Sequence, residues 1–316
     1  MTMLTLSTRT NGVVALFSPG ALKEGVLLVL ACAVLAVVSA LVPLLFPACG
    51  LAVILMAAVT TCRHTSVYAL AVLAAAAALT GFVVGILDAV MILVEPGLLG
   101  ILYGLGFKNR VAPQKILAAG LVAALFLAGF DLVILFRMLG ESPSELVAAN
   151  LAVEGHPELV EQAVRAVSVF LPGSLVAWVI ILAWAGFFVT AGILRRLSLL
   201  SGPALEFRRW HLPWPVIWLV IAGLAVTLAG DHWEFETMAL IGRNVLFVAG
   251  VGFLLAGLTL AVYFYRELAL SRWLAVLLVV AAVINWPVTL VLLATAGFID
   301  SWSDCRGCYE RRREQS

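Results

Sequence analysis

The chain has 316 residues, of which 64% are hydrophobic and only 12% charged, with a mean hydropathy of +1.13 and a formal net charge of +1. A water-soluble domain of this size carries far more charge on its surface, so a soluble fold is excluded. The near-neutral balance, with its basic residues in short clusters between apolar runs, leaves no footprint for nucleic acid.

Long apolar runs mark bilayer spans, each needing about 20 residues to cross roughly 30 Å of hydrocarbon. The predicted class is therefore all-α, a polytopic transmembrane helical bundle of eight or nine spans whose first partner is the lipid bilayer. A polar segment, 1–24, leads into the first run without an A-x-A cleavage pattern, which predicts a retained helix rather than a cleaved signal. Hydropathy and breakers then mark apolar segments at 25–42, 45–62, 66–86, 88–107, 114–139, 167–194, 212–229, 237–265 and 272–298. Together they make one transmembrane domain, 25–298, followed by a polar basic tail, 299–316. The first two segments are separated only around Pro43 and Pro47, so a tight hairpin fits, as does one span followed by a re-entrant piece. The third and fourth are joined near Asp88 without a real loop.

The 140–166 connection is acidic, holding Glu141, Glu145, Glu154, Glu158 and Glu161 against Arg165. Ser142-Pro143-Ser144-Glu145 reads as a capping box with proline in the first turn. Apolar residues follow at helical spacing, and the pattern restarts after Gly155-His156-Pro157. Two short amphipathic helices on the outer surface are expected, serving either as a cap over a cavity or as a plain interfacial connector.

If all nine segments cross, one face collects Arg9, Lys23, Arg63, Lys108, Arg110, Lys115, Arg195, Arg196, Arg208, Arg209, Arg266 and Arg272. The positive-inside tendency makes that face cytoplasmic. The same arrangement leaves the basic tail, with Arg306 and Arg311 to Arg313, on the opposite side. Either one segment fails to cross or the tail is an exception. Gly81-x-x-x-Gly85, Gly100-x-x-x-Gly104 and Gly252-x-x-x-Ala256 allow close helix approach within a compact bundle.

Ionisable and amide groups at membrane depth are costly unless paired or hydrated, which makes them the natural site candidates. Asp88 and Glu95 are expected near interfaces. Asp131 and Arg137 lie six residues apart and so do not stack on one helix. Arg243-Asn244, two turns into the eighth segment, combines a guanidinium fork with an amide donor and acceptor. The plainer reading is that Arg243 reaches back to the acidic loop 231–236 and Asn244 bonds another helix. Asn285-Trp286-Pro287 breaks the last segment and frees a carbonyl. The predicted ligand-binding residues are Asp131, Arg243, Asn244 and Asn285.

Catalytic and metal-binding patterns are missing: no phosphate-binding loop, nucleophile elbow or H-E-x-x-H occurs, and no two of the four histidines have helical ligand spacing. No enzyme activity, cofactor or metal is predicted. Cys32, Cys49 and Cys62 read as packing residues. Cys305 and Cys308 form a single C-x-x-C in what reads as a solvated tail.

Phe207-Arg208-Arg209-Trp210-His211-Leu212-Pro213, Asn244 and the closing Gly297-Phe298-Ile299-Asp300-Ser301-Trp302 resemble the YybS-like family of bacterial membrane proteins. The run Pro96-Gly97-Leu98-Leu99-Gly100-Ile101-Leu102-Tyr103-Gly104 before a basic turn is similar too. That family resembles the substrate-capturing components of energy-coupling-factor transporters. The resemblance implies a bacterial inner-membrane protein with a binding cavity for a small solute, open to the outer side. With no motor encoded here, transport would require a separate coupling or ATPase subunit, for which the basic loop 195–209 is a candidate contact. The competing expectation is a membrane scaffold whose intramembrane polar groups pair with one another and leave no open cavity. A lipid-modifying enzyme ranks last.

Overall fold

The computed structural model describes residues 19–139, 157–200, 207, 210–268 and 271–314. All regular structure among them is helical. The helices are α1 (Pro19–Leu41), α2 (Phe46–Arg63), α3 (Ser66–Val84), α4 (Ile86–Lys108), α5 (Pro113–Leu139), α6 (Pro157–Arg196), α7 (Ile217–His232), α8 (Glu236–Glu267), α9 (Arg272–Ile284), α10 (Trp286–Ser303) and α11 (Cys305–Glu314). Eight of them are long and apolar enough to cross a membrane, and α9 with α10 forms a further pair bent by 110°. The apolar segments thus become helices within a few residues of their expected limits.

One expected element is absent as such. Residues 157–166 are the first turns of α6, a continuous helix of 40 residues, rather than a separate short helix. Pro157 starts it, where a missing N–H costs nothing, and no breaker follows until Pro172. The other expected amphipathic helix falls at 140–156, outside the described residues.

The chain divides into two compact units: Met1–Leu127 with Val179–Ala204, and Ala128–Trp178 with Leu205–Ser316. In the first unit, Glu24 near the start of α1 lies 3.5 Å from Arg63 and 3.3 Å from His64 at the end of α2. Both ends therefore share a face, and α1–α2 is a hairpin turned by the 3-10 segment Pro43–Leu45. Lys108, at the end of α4, donates to the carbonyls of Thr61 and His64, closing the last turn of α2 with a cation. A single residue, Gly85 at φ +100°, joins α3 to α4. That left-handed backbone favours glycine, which is why so short a joint works. Gly100 and Gly104 let α4 lie against α2, because a Cβ at either would strike the carbonyl oxygen of Ile54 or Ala58. Tyr103, fully buried between them in sequence, spends its hydroxyl on the Ala183 carbonyl at 2.8 Å and packs edge-on against Phe187.

In the second unit, α7 and α8 form a hairpin whose close points are Gly230 against Ala239 and Gly242 against Thr227. Helix α10 meets α8 at Gly257 and Gly297, where a Cβ would run into the carbonyl oxygens of Leu293 and Phe253 respectively. Phe298 caps a small core of Ile217, Ala249 and Phe253. Helix α9 buries none of its residues against protein.

The position of the tail follows from one side chain. Arg306, in the first turn of α11, donates to the carbonyl of Trp210, just ahead of α7, at 2.8 Å and to the hydroxyl of Thr259 in α8 at 3.0 Å. It also forms an ion pair with Asp300 of α10 at 3.2 Å. Trp210 leads into α7 on the side where α8 ends and α9 departs. The 110° bend between α9 and α10 is that of a broken span or of a re-entrant loop. The count of eight or nine spans expected from hydropathy therefore stands.

Candidate functional site

Helix α6 carries Pro172 in its interior, followed by Gly173. Proline lacks an N–H and its ring crowds the carbonyl four residues earlier, so the helix opens at that turn. In a regular helix the next bond would run from the Gly173 N–H to the Val169 carbonyl, four residues back. Asn244 of α8 supplies both halves instead. Its Oδ1 accepts from the Gly173 N–H at 2.6 Å, and its Nδ2 donates to the Val169 carbonyl at 2.8 Å. The second amide hydrogen goes to Leu240 on its own helix at 2.8 Å. Gly173 is needed here, since a Cβ would sit 2.5 Å from Asn244 Oδ1. Asn244 is thus committed to holding α6 against α8, the plainer of its two sequence readings.

Arg243, the next residue, turns to a different environment. Its guanidinium reaches Asp231 at the end of α7 at 2.9 Å, and the two side chains remain 45% and 50% exposed. The pair stands at a recess of about 760 Å³ lined by Val169, Gly230, Asp231, Glu234, Glu236, Thr237, Ala239, Leu240 and Arg243. This recess opens at the α7–α8 turn, away from the Arg306 face. Glu234 adopts φ 57° at that turn, and Glu236 opens α8, where a carboxylate complements the helix dipole.

The remaining predicted residues lie elsewhere. Asp131 is half-buried in α5, and Asn285 is exposed at the break between α9 and α10. Asn285 Nδ2 donates back to Ala281 at 3.3 Å, closing the end of α9. Neither lines the recess. Asp88 is exposed in the first turn of α4, and Glu95 is half-buried near the middle of that helix. The side chain of Arg137 lies outside the described residues. Among the described residues, no group of three His, Cys, Asp or Glu comes together to hold a metal ion.

The sequence reading passed over the most buried ion pair among the described residues, Asp300 with Arg306, at 2% and 8% side-chain exposure. Burial pulls the Arg306 guanidinium down from its ordinary value, while Asp300 beside it pushes it back up. Tyr263 lies with its ring 5.7 Å from the guanidinium carbon. The available sequence signal was weak: a carboxylate closing one helix and an arginine opening the next, across the Asp304 turn.

The family model DUF2232, described as a predicted membrane protein, matches residues 30–301, and the chain belongs to that family. No curated protein and no solved structure matches it.

Proposed function

We propose that this member of a family of predicted membrane proteins binds a small charged solute in the recess at the α7–α8 turn. The observation that supports this reading is the Arg243–Asp231 pair, half-exposed on the wall of a recess of about 760 Å³. That volume falls within the range of roughly 300–1,000 Å³ usual for small-molecule sites. A guanidinium and a carboxylate that already face each other can each take a ligand group of opposite charge with little reorganisation. Positive-inside reasoning puts this mouth on the outer side of a bacterial inner membrane. The resemblance to substrate-capturing transporter components fits a solute binder that depends on a separate motor subunit. The chain is proposed to act by binding rather than catalysis.

The test is ligand-dependent thermal stabilisation of the purified protein in detergent, screened against amino acids, vitamins, small metabolites and metal ions. A ligand at a hundred times its dissociation constant adds about 2.7 kcal/mol. A hit lost in Arg243→Ala, with the unliganded variant melting near wild type, supports the site. A hit that persists in the variant moves the site elsewhere.

A second reading, a membrane scaffold, is favoured by Asn244, whose polar atoms are all taken up by α6 and its own helix. That reading expects no stabilising solute across the panel and a co-purifying protein partner.

A further inference from the structure

We propose that Cys305 and Cys308 form a thiol–disulfide exchange site, built into the first turn of α11 and held in place by Arg306. The two cysteines lie three residues apart on a helix, which places their Cα atoms about 5 Å apart. A disulfide needs roughly 4.4–6.8 Å. Their sulfurs also converge on one residue: Cys305 Sγ is 3.1 Å from the Ser303 hydroxyl, and Cys308 Sγ is 3.6 Å from the Ser303 carbonyl. Arg311, one turn on, donates to Cys308 Sγ at 3.3 Å. Cys308 is exposed and Cys305 half-buried, so a reagent can reach the pair.

The turn that carries them is fixed from both ends. Asp304 caps α11 by accepting the Gly307 N–H at 3.2 Å. Gly307 is required there, because a Cβ would collide with the Asp304 carboxylate. Between the two cysteines, Arg306 is buried against Asp300, Thr259 and the Trp210 carbonyl. A helical turn anchored in this way keeps the two thiols close together, which lowers the entropy cost of closing the ring. The three other cysteines lie in α1 and α2, and Cys32 and Cys49 are buried.

The co-reactant is a disulfide, either of a small thiol or of a protein. A thiolate of the pair attacks one of its sulfurs, forming a mixed disulfide and expelling one thiolate. The second cysteine, deprotonated, attacks the mixed disulfide and expels the other half. The pair loses two electrons and two protons, and the incoming disulfide is reduced to two thiols.

The test uses the full chain in detergent, fully reduced and then incubated with oxidised glutathione at mildly alkaline pH. Trypsin cleaves after Arg306, so the two cysteine-bearing peptides remain linked only if the disulfide has formed. The expected result is a linked, glutathione-free pair in wild type. Cys308→Ser should instead accumulate glutathione on Cys305, and Cys305→Ser on Cys308, with melting temperatures unchanged. Stable glutathione adducts on the wild-type pair, or free thiols at both positions after the incubation, would overturn the proposal.

Discussion

Asn244 stands in for a backbone hydrogen bond between Gly173 and Val169, accepting from one and donating to the other across the turn opened by Pro172. An amide side chain suits this role, since it carries a donor and an acceptor on one carbon. Asn244→Ala removes both bonds and should cost about 1–3 kcal/mol, the penalty for leaving buried polar groups unmet, softened if α6 recloses its own bond. Asn244→Asp should be worse, because a carboxylate cannot donate to the carbonyls of Val169 and Leu240. Gly173→Ala should match the alanine variant by displacing the amide. Melting temperatures in one detergent give the order, and an aspartate variant as stable as wild type would refute the bridge.

The glycines of α8 should differ sharply. Gly257 faces the backbone of α10 so closely that a Cβ meets the Leu293 carbonyl, whereas Gly250 on the same helix has nothing within 4 Å. Overpacking typically costs about 1–3 kcal/mol. Gly257→Ala should therefore destabilise by at least that much, and Gly297→Ala likewise. Gly250→Ala should be neutral or slightly stabilising, since alanine is the better helix former. Chemical or thermal unfolding of the three variants reads this directly, and equal effects would mean that α8 and α10 are not in backbone contact.

A re-entrant course of α9–α10, one of the two that the 110° bend allows, predicts an accessibility pattern. A variant keeping only Cys308 should react with a membrane-impermeant maleimide from the same side as Leu268→Cys, at the end of α8. Glu234→Cys, at the α7–α8 turn, should react from the opposite side. If Cys308 and Glu234→Cys label together, the bent pair crosses after all.

Most of the helical layout was legible because apolar length and breakers are local properties. Pro43 and Asn285 each mark a break in the sequence and each sits at one in the structure, and the joint expected near Asp88 falls at Gly85. The pairings at depth were not legible in the same way. Whether Asn244 meets a ligand or a broken helix depends on which turn of α6 lies opposite, and sequence separation says nothing about that. Arg243 and Asn244 are adjacent, yet successive residues on a helix point about 100° apart, so one reaches the recess and the other the helix contact. Arg306 was hidden for another reason. Its run of neighbours, Cys305, Gly307 and the later arginines, reads as a polar tail, and only the return of α10 brings Asp300, Thr259 and the Trp210 carbonyl around it.

That enclosure makes Asp300 and Arg306 the most consequential charged pair among the described residues. Removing one partner of a buried ion pair leaves the other charge desolvated and costs about 3–5 kcal/mol, while replacing both by apolar groups is often close to neutral. Asp300→Leu should thus strand the guanidinium, and Arg306→Met should strand the carboxylate. The Thr259 hydroxyl also loses the Arg306 donor in the methionine variant, and the Trp210 carbonyl keeps only the bond from Thr259, so it should be the worse of the two. The double variant should recover part of the loss, giving a coupling energy well above the roughly 0.5 kcal/mol error of additivity. A double-mutant cycle on melting in detergent measures it. Strict additivity would show the pair to be independent.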